Sequence, residues 1–289
     1  MARSPETSDN VSALTRGFAV LDCFAAARRP LGNGEVALAT GIPKATVSRL
    51  IATLVALGHL RPALERDRYE LAAGVVRLAQ AFLGAIDVRH FARPHVVALA
   101  EATGASSFLG VRDGDEVLVV EAARSRSAVA FLGSDVGTRM ALATSALGRA
   151  WLAGVDAPTR QAVLARLRQG PGAQRAQAGK PLEAALEQAR RDGYAISLGE
   201  WHPNINAVAV PVRTPGGEIV TMNCGSPAFV MPAERLREKV VPLLLDAAAA
   251  LARDIGGTSG AALTASDAPP ESPAAAPSAP SPARRRSPA

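Results

Sequence analysis

Two short amphipathic helical segments separated by a single glycine lie between residues 33 and 58. Ala37 is followed four residues later by Gly41, and then by Val47 and Leu50 on the apolar face of the second segment. A small alanine lets two helices approach closely, the glycine supplies the turn, and the apolar pair seats the second helix on a core. This spacing predicts a helix-turn-helix, although the same residues taken alone also fit an ordinary helical bundle.

The segments on either side of this pair favour the helix-turn-helix. A helix precedes it, with Leu14, Phe18 and Leu21 recurring at three- and four-residue spacing. Two short apolar runs follow it, and the charged turn Glu65-Arg66-Asp67 between them is typical of a small hairpin. A leading helix, a two-helix unit and a hairpin with a basic tip together predict a winged helix-turn-helix.

The outward face of the second helix is rich in side chains that can donate to the phosphates or base edges of a duplex. Arg66 and Arg68 of the hairpin are placed to lie near the DNA backbone or the minor groove, where their charge contributes through counterion release. The basic excess is small, with ten basic and seven acidic residues over positions 1–85, so the prediction of a double-stranded DNA partner depends on where these residues lie. The residues predicted to contact DNA are Lys44, Thr46, Ser48, Arg49, Thr53, Arg66 and Arg68.

From Arg93 onward the pattern changes from helices with short turns to mixed helices and strands. The segment Thr214-Pro215-Gly216-Gly217 between two apolar runs is a strong hairpin signal. A second, mixed domain is therefore predicted. Its predicted strands cover residues 107–111, 117–122, 129–132, 207–212 and 219–222, and its predicted helices cover 144–152, 158–168, 182–191 and 233–255.

The composition changes again at the C-terminal end. Alanine, proline and serine make up 23 of the 33 residues from 257 to 289, and Leu263 is the only large apolar side chain there. Such a segment cannot bury a core of its own, so we predict that it is disordered. Its Arg284-Arg285-Arg286 cluster fits a nonspecific contact with nucleic acid, or, more commonly for such runs, a solvated tail.

Several function classes are disfavoured by what the sequence lacks. Cys23 and Cys224 are too few for a disulfide framework or a multi-thiolate zinc site, and the histidines share no metal-ligand spacing. Ser145 lacks the preceding glycine of a nucleophile elbow, while Glu200 and His202 are better placed to orient backbone or a ligand than to act as an acid and a base. No run of about 20 apolar residues could span a bilayer, and no secretory signal begins the chain. We therefore predict a cytoplasmic protein with no catalytic residue, metal or cofactor.

Four groups of residues, in the same order, carry a resemblance to a known family. They are Arg16-Gly-Phe-Ala-Val-Leu-Asp22, Gly41-Ile-Pro-Lys-Ala-Thr-Val-Ser-Arg-Leu50, Gly137-Thr-Arg-Met-Ala-Leu-Ala-Thr-Ser-Ala-Leu-Gly-Arg-Ala150, and a last group made of Arg190-Arg-Asp-Gly-Tyr-Ala195, Glu200-Trp201, Asn206-Ala-Val-Ala-Val-Pro-Val212 and Gly225-Ser-Pro227. Together they resemble the IclR-type bacterial transcriptional regulators, and the resemblance covers the chain from Leu14 to Gly256.

The resemblance implies an α+β fold whose C-terminal domain is a curved antiparallel sheet flanked by helices, similar to GAF and PAS sensor domains. It implies a pocket for a small organic effector, such as an organic or aromatic acid, although no arginine of the pocket can be assigned to a carboxylate. Some family members have a cysteine where Ala207 stands and a serine where Gly225 stands, which leaves the ligand open. The implied effector-binding residues are Ser145, Ala146 and Leu147 on one wall and Ser197, Ala207, Asn223 and Gly225 on another.

These observations predict a ligand-responsive transcriptional regulator of a catabolic operon that binds a pseudo-palindromic operator as a homodimer or homotetramer. The alternative is a small-molecule-binding enzyme or carrier whose N-terminal helical domain mediates assembly. The predicted organisation is a flexible N-terminus (1–9), a winged helix-turn-helix DNA-binding domain (10–71), a linker helix (72–85), an effector-binding domain (86–256) and the disordered tail (257–289).

An apolar stripe on the linker helix is a candidate dimer interface. It consists of Val75, Val76, Leu78, Phe82 and Leu83. Packing of the helix on its own domain explains the same pattern equally well. The sequence therefore leaves both interpretations open.

Overall fold

The computed structural model describes residues 11–125, 134–169 and 180–265. The chain forms two compact units that divide between Ile86 and Asp87, and each is described by itself. No helix within the described ranges is long and apolar enough to cross a membrane. The strand predicted at residues 129–132 lies outside the described residues.

The N-terminal unit combines a helix-turn-helix with a small antiparallel sheet in the order β1-β3-β2. Helices α2 and α3 form the helix-turn-helix and the β2–β3 hairpin is its wing, which confirms the predicted winged helix-turn-helix. Strand β1 was not predicted because two residues carry no periodicity. The elements are α1 (Ser12–Ala27), β1 (Leu31–Gly32), α2 (Asn33–Thr40), α3 (Lys44–Ala56), β2 (Leu60–Pro62), β3 (Arg68–Leu71) and α4 (Ala73–Gly84).

Helices α1, α2 and α3 pack around one core, and the turn between α2 and α3 closes on a glycine. Gly41 adopts a left-handed φ of 68°, and its N–H donates to the Ala37 carbonyl oxygen at 3.0 Å, a helix ending that favours glycine. Leu14 and Phe18 of the predicted apolar stripe lie outside this core and remain exposed. The buried core residues are Val20, Phe24, Leu31, Val36, Ile42, Val47, Ile51, Leu54 and Leu60.

The C-terminal unit is built on one antiparallel sheet in the order β10-β8-β9-β4-β5-β6, with β7 also pairing with β8. This arrangement, with helices flanking the sheet, confirms the predicted α+β class. The elements are α5 (Asp87–Thr103), β4 (Ser106–Asp113), β5 (Glu116–Arg124), β6 (Arg139–Ala141), α6 (Ala146–Gly154), α7 (Ala157–Gln169), α8 (Lys180–Asp192), β7 (Ala195–Leu198), β8 (Ile205–Arg213), β9 (Ile219–Pro227), α9 (Ala233–Arg235), a π-helical turn (Leu236–Val240), α10 (Val241–Ile255), β10 (Thr258–Ser259) and α11 (Gly260–Ala265).

The two faces of this sheet carry different partners because successive strand residues point to opposite sides. Phe108 and Ala209 face α6 and belong to the core that α6 forms with α7 and α8. Cys224 faces the other side, where its sulfur lies 3.3 Å from the Thr103 hydroxyl of α5. Helix α10 packs beside α5 on that side. The face toward α6 contains the candidate cavity described below.

The prediction that the chain is disordered from residue 257 onward is wrong for residues 257–265. Strand β10 pairs with β8, with Thr258 opposite Arg213 and Ser259 opposite Val212. Leu263 of α11 is only 3% exposed and belongs to the core beneath α6. One leucine was sufficient here because backbone hydrogen bonds to the edge of the sheet hold the segment in place. Residues 266–289, with the arginine cluster, lie outside the described residues.

Three further elements of this unit were not predicted. Helix α5 contains Pro94, which argues against a helix when only the sequence is read. Strands β6 and β7 have three and four residues, too few for alternation to be recognised. Both short strands are held by their longer neighbours, since β6 pairs with β5 and β7 pairs with β8.

Candidate functional site

The exposed face of α3 carries two of the predicted DNA-contacting cations. Lys44 begins the helix and Arg49 lies one turn further on, and both are exposed. Within the described residues, the Arg49 guanidinium forms no hydrogen bond or ion pair, so all of its donors can reach a ligand. Thr53 is exposed as well, although its hydroxyl donates to the Arg49 carbonyl oxygen at 3.0 Å.

Two other predicted residues of α3 lie further from this face. Thr46 and Ser48 are half-buried. The Ser48 hydroxyl accepts from Asn33 Nδ2 at 2.8 Å and donates to the Lys44 carbonyl oxygen at 3.0 Å. Ser48 therefore fastens α2 to α3, which differs from the direct DNA contact predicted from its place in the helix.

Small residues that the sequence prediction missed fill the centre of the exposed face. Three alanines are exposed on the same side of α3 as Arg49, namely Ala45, Ala52 and Ala56. Ala45 precedes Arg49 by four residues, and Ala52 and Ala56 follow it by three and seven, which are the spacings that place residues on one face of a helix. Such a flat face lets the helix backbone approach a duplex closely, and an alanine methyl can contact a thymine methyl. The helical spacing of these alanines was the signal available in the sequence.

The two arginines of the wing have different environments. Arg66 is exposed at the tip and has no partner in the part of the chain that the structure describes. Arg68 is paired with Glu35 at 2.9 Å and Glu65 at 3.0 Å, and it also donates to the Pro30 carbonyl oxygen at 2.9 Å. The structure thus places Arg68 between the wing and the start of α2, and its predicted contact with DNA stays a prediction.

The Glu35 carboxylate is the centre of this connection. It accepts from the Gly32 backbone N–H at 2.9 Å and pairs with Arg29 at 2.9 Å as well as with Arg68. The hydrogen bond from Gly32, followed by that from Arg29, holds the pKa of Glu35 below its usual value. The carboxylate therefore remains ionised near neutral pH and orients the wing against the helix-turn-helix.

A cavity between α6 and strands β4, β8 and β9 collects six of the seven predicted effector-binding residues. It lies between the N-terminal end of α6 and the sheet, and has a volume of about 40 Å³. The predicted residues that line it are Ser145, Ala146, Ser197, Ala207, Asn223 and Gly225.

The register of the sheet explains why these residues meet. Ala207 lies opposite Gly225, and Gly225 lies opposite Ser106 on its other side, so small residues form one row across three strands. A Cβ added to Gly225 would come within 3.3 Å of Ala207 Cβ. The two small residues thus leave the space that forms the cavity floor, and the next row brings Asn223 opposite Phe108.

Leu147 is not among the residues that line the cavity, so its predicted contact with an effector stays a prediction. Its side chain is fully buried in the core between α6 and the sheet. Neighbouring residues of a helix point about 100° apart, so the turn that brings Ala146 to the cavity sends Leu147 toward the sheet. There it lies near Gly110, where an added Cβ would meet Leu147 Cδ1 at 3.5 Å.

The polar groups of the cavity divide into structural and free ones. The Ser145 hydroxyl caps α6, since it accepts from the Gly148 N–H at 3.0 Å and donates to the Ala141 carbonyl oxygen at 2.7 Å. The Ser197 hydroxyl donates to the Thr144 carbonyl oxygen at 2.7 Å. These two hydroxyls are therefore occupied in holding the wall of the cavity.

Asn223 differs from the two capping serines. Its Oδ1 accepts from the Phe108 N–H at 3.1 Å, whereas its Nδ2 has no hydrogen-bond partner within the described residues. The hydroxyls of Ser106, Ser134 and Ser226 also lack partners there. Among the described residues that line the cavity, none is charged. The free donors of an otherwise apolar cavity can therefore bind the oxygen atoms of a small ligand.

Several lining residues were not predicted. The resemblance did not indicate these positions, but strand alternation from Ala207 could have indicated Ile205. The remainder lie in loops, in the short strand β6, and in strands β4 and β9. The lining residues missed were Ala105, Ser106, Phe108, Ser134, Met140, Trp201, Ile205, Ser226 and Pro227.

Comparison with known proteins relates this architecture to one family. Residues 13–63 match the IclR helix-turn-helix domain, and residues 80–255 match the bacterial transcriptional regulator IclR C-terminal domain. The chain belongs to the IclR family. Its members are DNA-binding transcriptional regulators with an effector domain, which confirms the predicted resemblance and the prediction that the chain is a regulator rather than an enzyme.

Individual IclR-family proteins share most of the length of this chain. It is 32% identical over 236 residues to the HTH-type transcriptional regulator TsaQ1/TsaQ2 of Comamonas testosteroni, which covers 81% of this chain and 84% of the relative. The crystal structure of an IclR family transcriptional regulator from Brucella abortus matches with a TM-score of 0.70 and 34% identity, over 86% of this chain and 94% of that one. An IclR homologue from Microbacterium hydrocarbonoxydans, complexed with 4-hydroxybenzoate, matches with a TM-score of 0.69 and 25% identity, over 84% and 99% of the two chains.

An ion pair with a buried arginine supports the cavity wall of this IclR-family chain. Arg149 of α6 is paired with Glu200 through two contacts of 2.6 and 2.9 Å, and it also donates to the carbonyl oxygens of Ala143 and Ile196 at 3.0 Å each. Neither member of the pair lines the cavity. The pair joins the start of α6, strand β7 and the loop that carries Trp201, so it acts by positioning the wall.

Glu200 and His202 each contact a different neighbour. Glu200 is engaged by Arg149, and His202 Nδ1 accepts from the Asn204 N–H at 3.3 Å. Cys224 is fully buried, and desolvation raises the pKa of its thiol to about 11, which makes the thiolate scarce near neutral pH. Within the ranges that the structure describes, no group of three His, Cys, Asp or Glu residues is arranged to hold a metal ion.

Proposed function

We propose that this IclR-family regulator binds a pseudo-palindromic operator as a homodimer, or as a tetramer of two such dimers, and that a small aromatic acid in the α6 cavity changes its operator affinity. The observation that carries the proposal is the cavity itself, in which the Asn223 amide and three serine hydroxyls present free donors among apolar walls. We further propose that it controls a catabolic operon in the bacterial cytoplasm.

The surface of α3 supports the DNA-binding half of the proposal. Its flat alanine face and the unpaired Arg49 suit insertion into a major groove. Arg66 at the wing tip is free to contact the backbone or the minor groove. One such module contacts too little DNA for strong selectivity, whereas two modules related by a two-fold axis read two half-sites.

The linker helix α4 supports dimerisation. Val76, Leu78 and Phe82 are 54%, 61% and 48% exposed, while Val75 and Leu83 are half-buried. Packing on its own unit therefore leaves most of the predicted stripe in contact with water. A second copy that covers the three exposed side chains would remove this apolar surface from water. The exposed stripe therefore favours a dimer interface over packing of the helix on its own domain.

The chemistry of the cavity supports an aromatic acid as the effector. Phe108, Trp201 and Met140 supply apolar walls, and Asn223 Nδ2 supplies a donor for a carboxylate or a phenol oxygen. The homologue from Microbacterium hydrocarbonoxydans is complexed with 4-hydroxybenzoate, a ligand of this class.

The cavity volume of about 40 Å³ is well below the roughly 150 Å³ that holds a benzene ring. Binding therefore requires the walls to move, and this movement couples the ligand to the rest of the chain.

Replacing Arg49 with Ala should weaken operator binding by about 1–3 kcal/mol, because an unpaired guanidinium on the recognition helix is lost. The thermal midpoint should not change, since Arg49 is exposed and unpaired. An operator selected from a random duplex pool with the wild-type chain allows the affinity to be measured by fluorescence anisotropy.

Arg66→Ala serves as the comparison for Arg49. Loss of a wing-to-phosphate contact should reduce affinity about equally for all sequences and make the salt dependence shallower by roughly one counterion. Operator affinity that is the same for Arg49→Ala and wild type at one salt concentration would remove Arg49 from the interface.

Replacing Asn223 with Asp should weaken binding of 4-hydroxybenzoate at least about tenfold, measured by titration calorimetry at pH 8. The substitution keeps the oxygen that accepts from the Phe108 N–H but replaces the free donor with a second oxygen, which repels a carboxylate or phenolate. Asn204→Asp changes the charge equally at an exposed turn outside the cavity and should bind like the wild type.

The calorimetric comparison also tests the ligand class. Other hydroxybenzoates are titrated in parallel with 4-hydroxybenzoate. Full binding by Asn223→Asp would contradict the assignment of the cavity. A wild-type chain that binds none of these acids would contradict the aromatic-acid class, while leaving the DNA-binding function to be judged by the operator measurements.

A further inference from the structure

The recognition helix and the linker helix are joined through a backbone contact between two glycines. Gly58 follows α3 and adopts a left-handed φ of 74°. Gly74 lies in the first turn of α4, is buried, and donates its N–H to the Gly58 carbonyl oxygen at 2.9 Å. The Ala72 N–H donates to the His59 carbonyl oxygen, also at 2.9 Å. Helix α4 therefore starts directly on the turn that ends α3.

No side chain fits at this contact. A Cβ added to Gly74 would lie 2.8 Å from the Gly58 carbonyl carbon and 2.8 Å from His59 Nδ1, and closer still to the Gly58 oxygen. Backbone atoms cannot rotate away, so α4 would have to shift. Gly84, at the other end of α4, has nothing within 4 Å of an added Cβ. Since glycine costs about 1 kcal/mol in a helix relative to alanine, the close approach gives a physical reason for glycine at position 74.

The direction of α4 relative to α3 matters for a dimer. If two copies pair through the exposed face of α4, this direction decides how far each recognition helix lies from the two-fold axis. Helix-turn-helix dimers read half-sites about 34 Å apart, centre to centre. A shift at the first turn of α4 therefore changes the separation of the two recognition helices, while α3 itself keeps its own side chains.

We propose that the Gly58–Gly74 contact sets the half-site spacing that this regulator accepts, with Gly74 as a positioning residue. The inference rests on the proposed dimer through α4. Gly74 is buried within its unit and acts only through the position of α3. It therefore determines the spacing of the two half-sites and has no effect on which bases each half-site contains.

The test compares two alanine substitutions in the same helix, Gly74→Ala and Gly84→Ala, in the full-length chain. Selection from a random duplex pool with the wild-type chain first defines the half-site and its spacing. Affinities are then measured for that duplex, for duplexes with the spacing changed by one or two base pairs, and for a single half-site. Gly74→Ala should bind the wild-type spacing at least about tenfold more weakly, with single half-site affinity kept within about threefold. Gly84→Ala should match the wild type on every duplex.

Two results would overturn the proposal. The first is that Gly74→Ala keeps the wild-type affinity and spacing. The second is that Gly74→Ala loses single half-site and full-site binding equally, which would mean that the contact only supports the fold of α3. Should circular dichroism show that Gly74→Ala is unfolded, the double variant His59→Ala/Gly74→Ala is measured in the same way, since it keeps the obstruction by the Gly58 oxygen and removes the imidazole. A wild-type chain that selects no paired half-sites would overturn the proposed dimeric binding, and this proposal with it, before any variant is compared.

Discussion

Truncation of the chain after Gly256 should lower the free energy of unfolding of the C-terminal unit by at least about 3 kcal/mol. The truncation removes the pairing of β10 with β8 and the fully packed side chain of Leu263. Loss of one buried leucine side chain costs about 2–5 kcal/mol, and the unpaired edge of β8 adds to this cost. For a unit of this size the thermal midpoint should fall by roughly 6–12 °C, as measured by differential scanning calorimetry.

A second truncation, after Ala265, is the matched control. It keeps β10 and α11 but removes the residues whose composition of alanine, proline and serine predicts no packed structure, so the thermal midpoint should stay the same. Leu263→Ala in the full-length chain should reproduce most of the loss. Equal midpoints for the wild type and the chain ending at Gly256 would mean that α11 contributes nothing to the stability of the core.

Replacing Arg149 with Met should cost about 2–4 kcal/mol of stability and should also weaken effector binding. The Arg149 side chain is 7% exposed, and its loss leaves the Ala143 and Ile196 carbonyl oxygens without their donor, at about 1–3 kcal/mol for each buried group. Glu200 is 44% exposed and can regain water, so its carboxylate adds little to the cost. Urea unfolding gives the stability, and calorimetry with 4-hydroxybenzoate gives the binding.

Glu200→Gln separates the two contributions of this ion pair. The glutamine removes the charge of the partner but leaves Arg149 bound to both carbonyl oxygens, so its stability loss should stay below about 1 kcal/mol, as is usual for a partly exposed pair. If the two variants lost the same stability, the ion pair would be the main contribution and the hydrogen bonds to Ala143 and Ile196 would be minor.

Local patterns in the sequence were sufficient for the helix-turn-helix and its wing. The turn needs a left-handed residue at Gly41, and the second helix needs apolar residues such as Val47 one turn apart. Both requirements concern neighbours along the chain, so spacing alone can reveal them. The same holds for the β8–β9 hairpin, which turns through Gly217 at a φ of 86°.

The cavity residues on strands were predictable for a related reason. Alternation along β8 and β9 places Ala207 and Asn223 on one face, and the resemblance indicated which face mattered. The helical side was harder, because Ala146 and Leu147 are adjacent in sequence yet point to the cavity and to the core. Only the packing of α6 on the sheet determines which of the two meets a ligand.

The sequence by itself determined the family, the winged helix-turn-helix and the small residues of the cavity floor, because these depend on residue type and short-range spacing. The tertiary structure alone decided which polar groups are free. Arg68 and Ser48 are engaged by Glu35 and Asn33, whereas the Arg49 guanidinium and Asn223 Nδ2 have no partner within the described residues. It also decided that Leu263 is buried and that α4 starts against Gly58. These outcomes depend on partners distant in the chain, and hydrogen bonding and burial are properties of the contact between two residues rather than of either one.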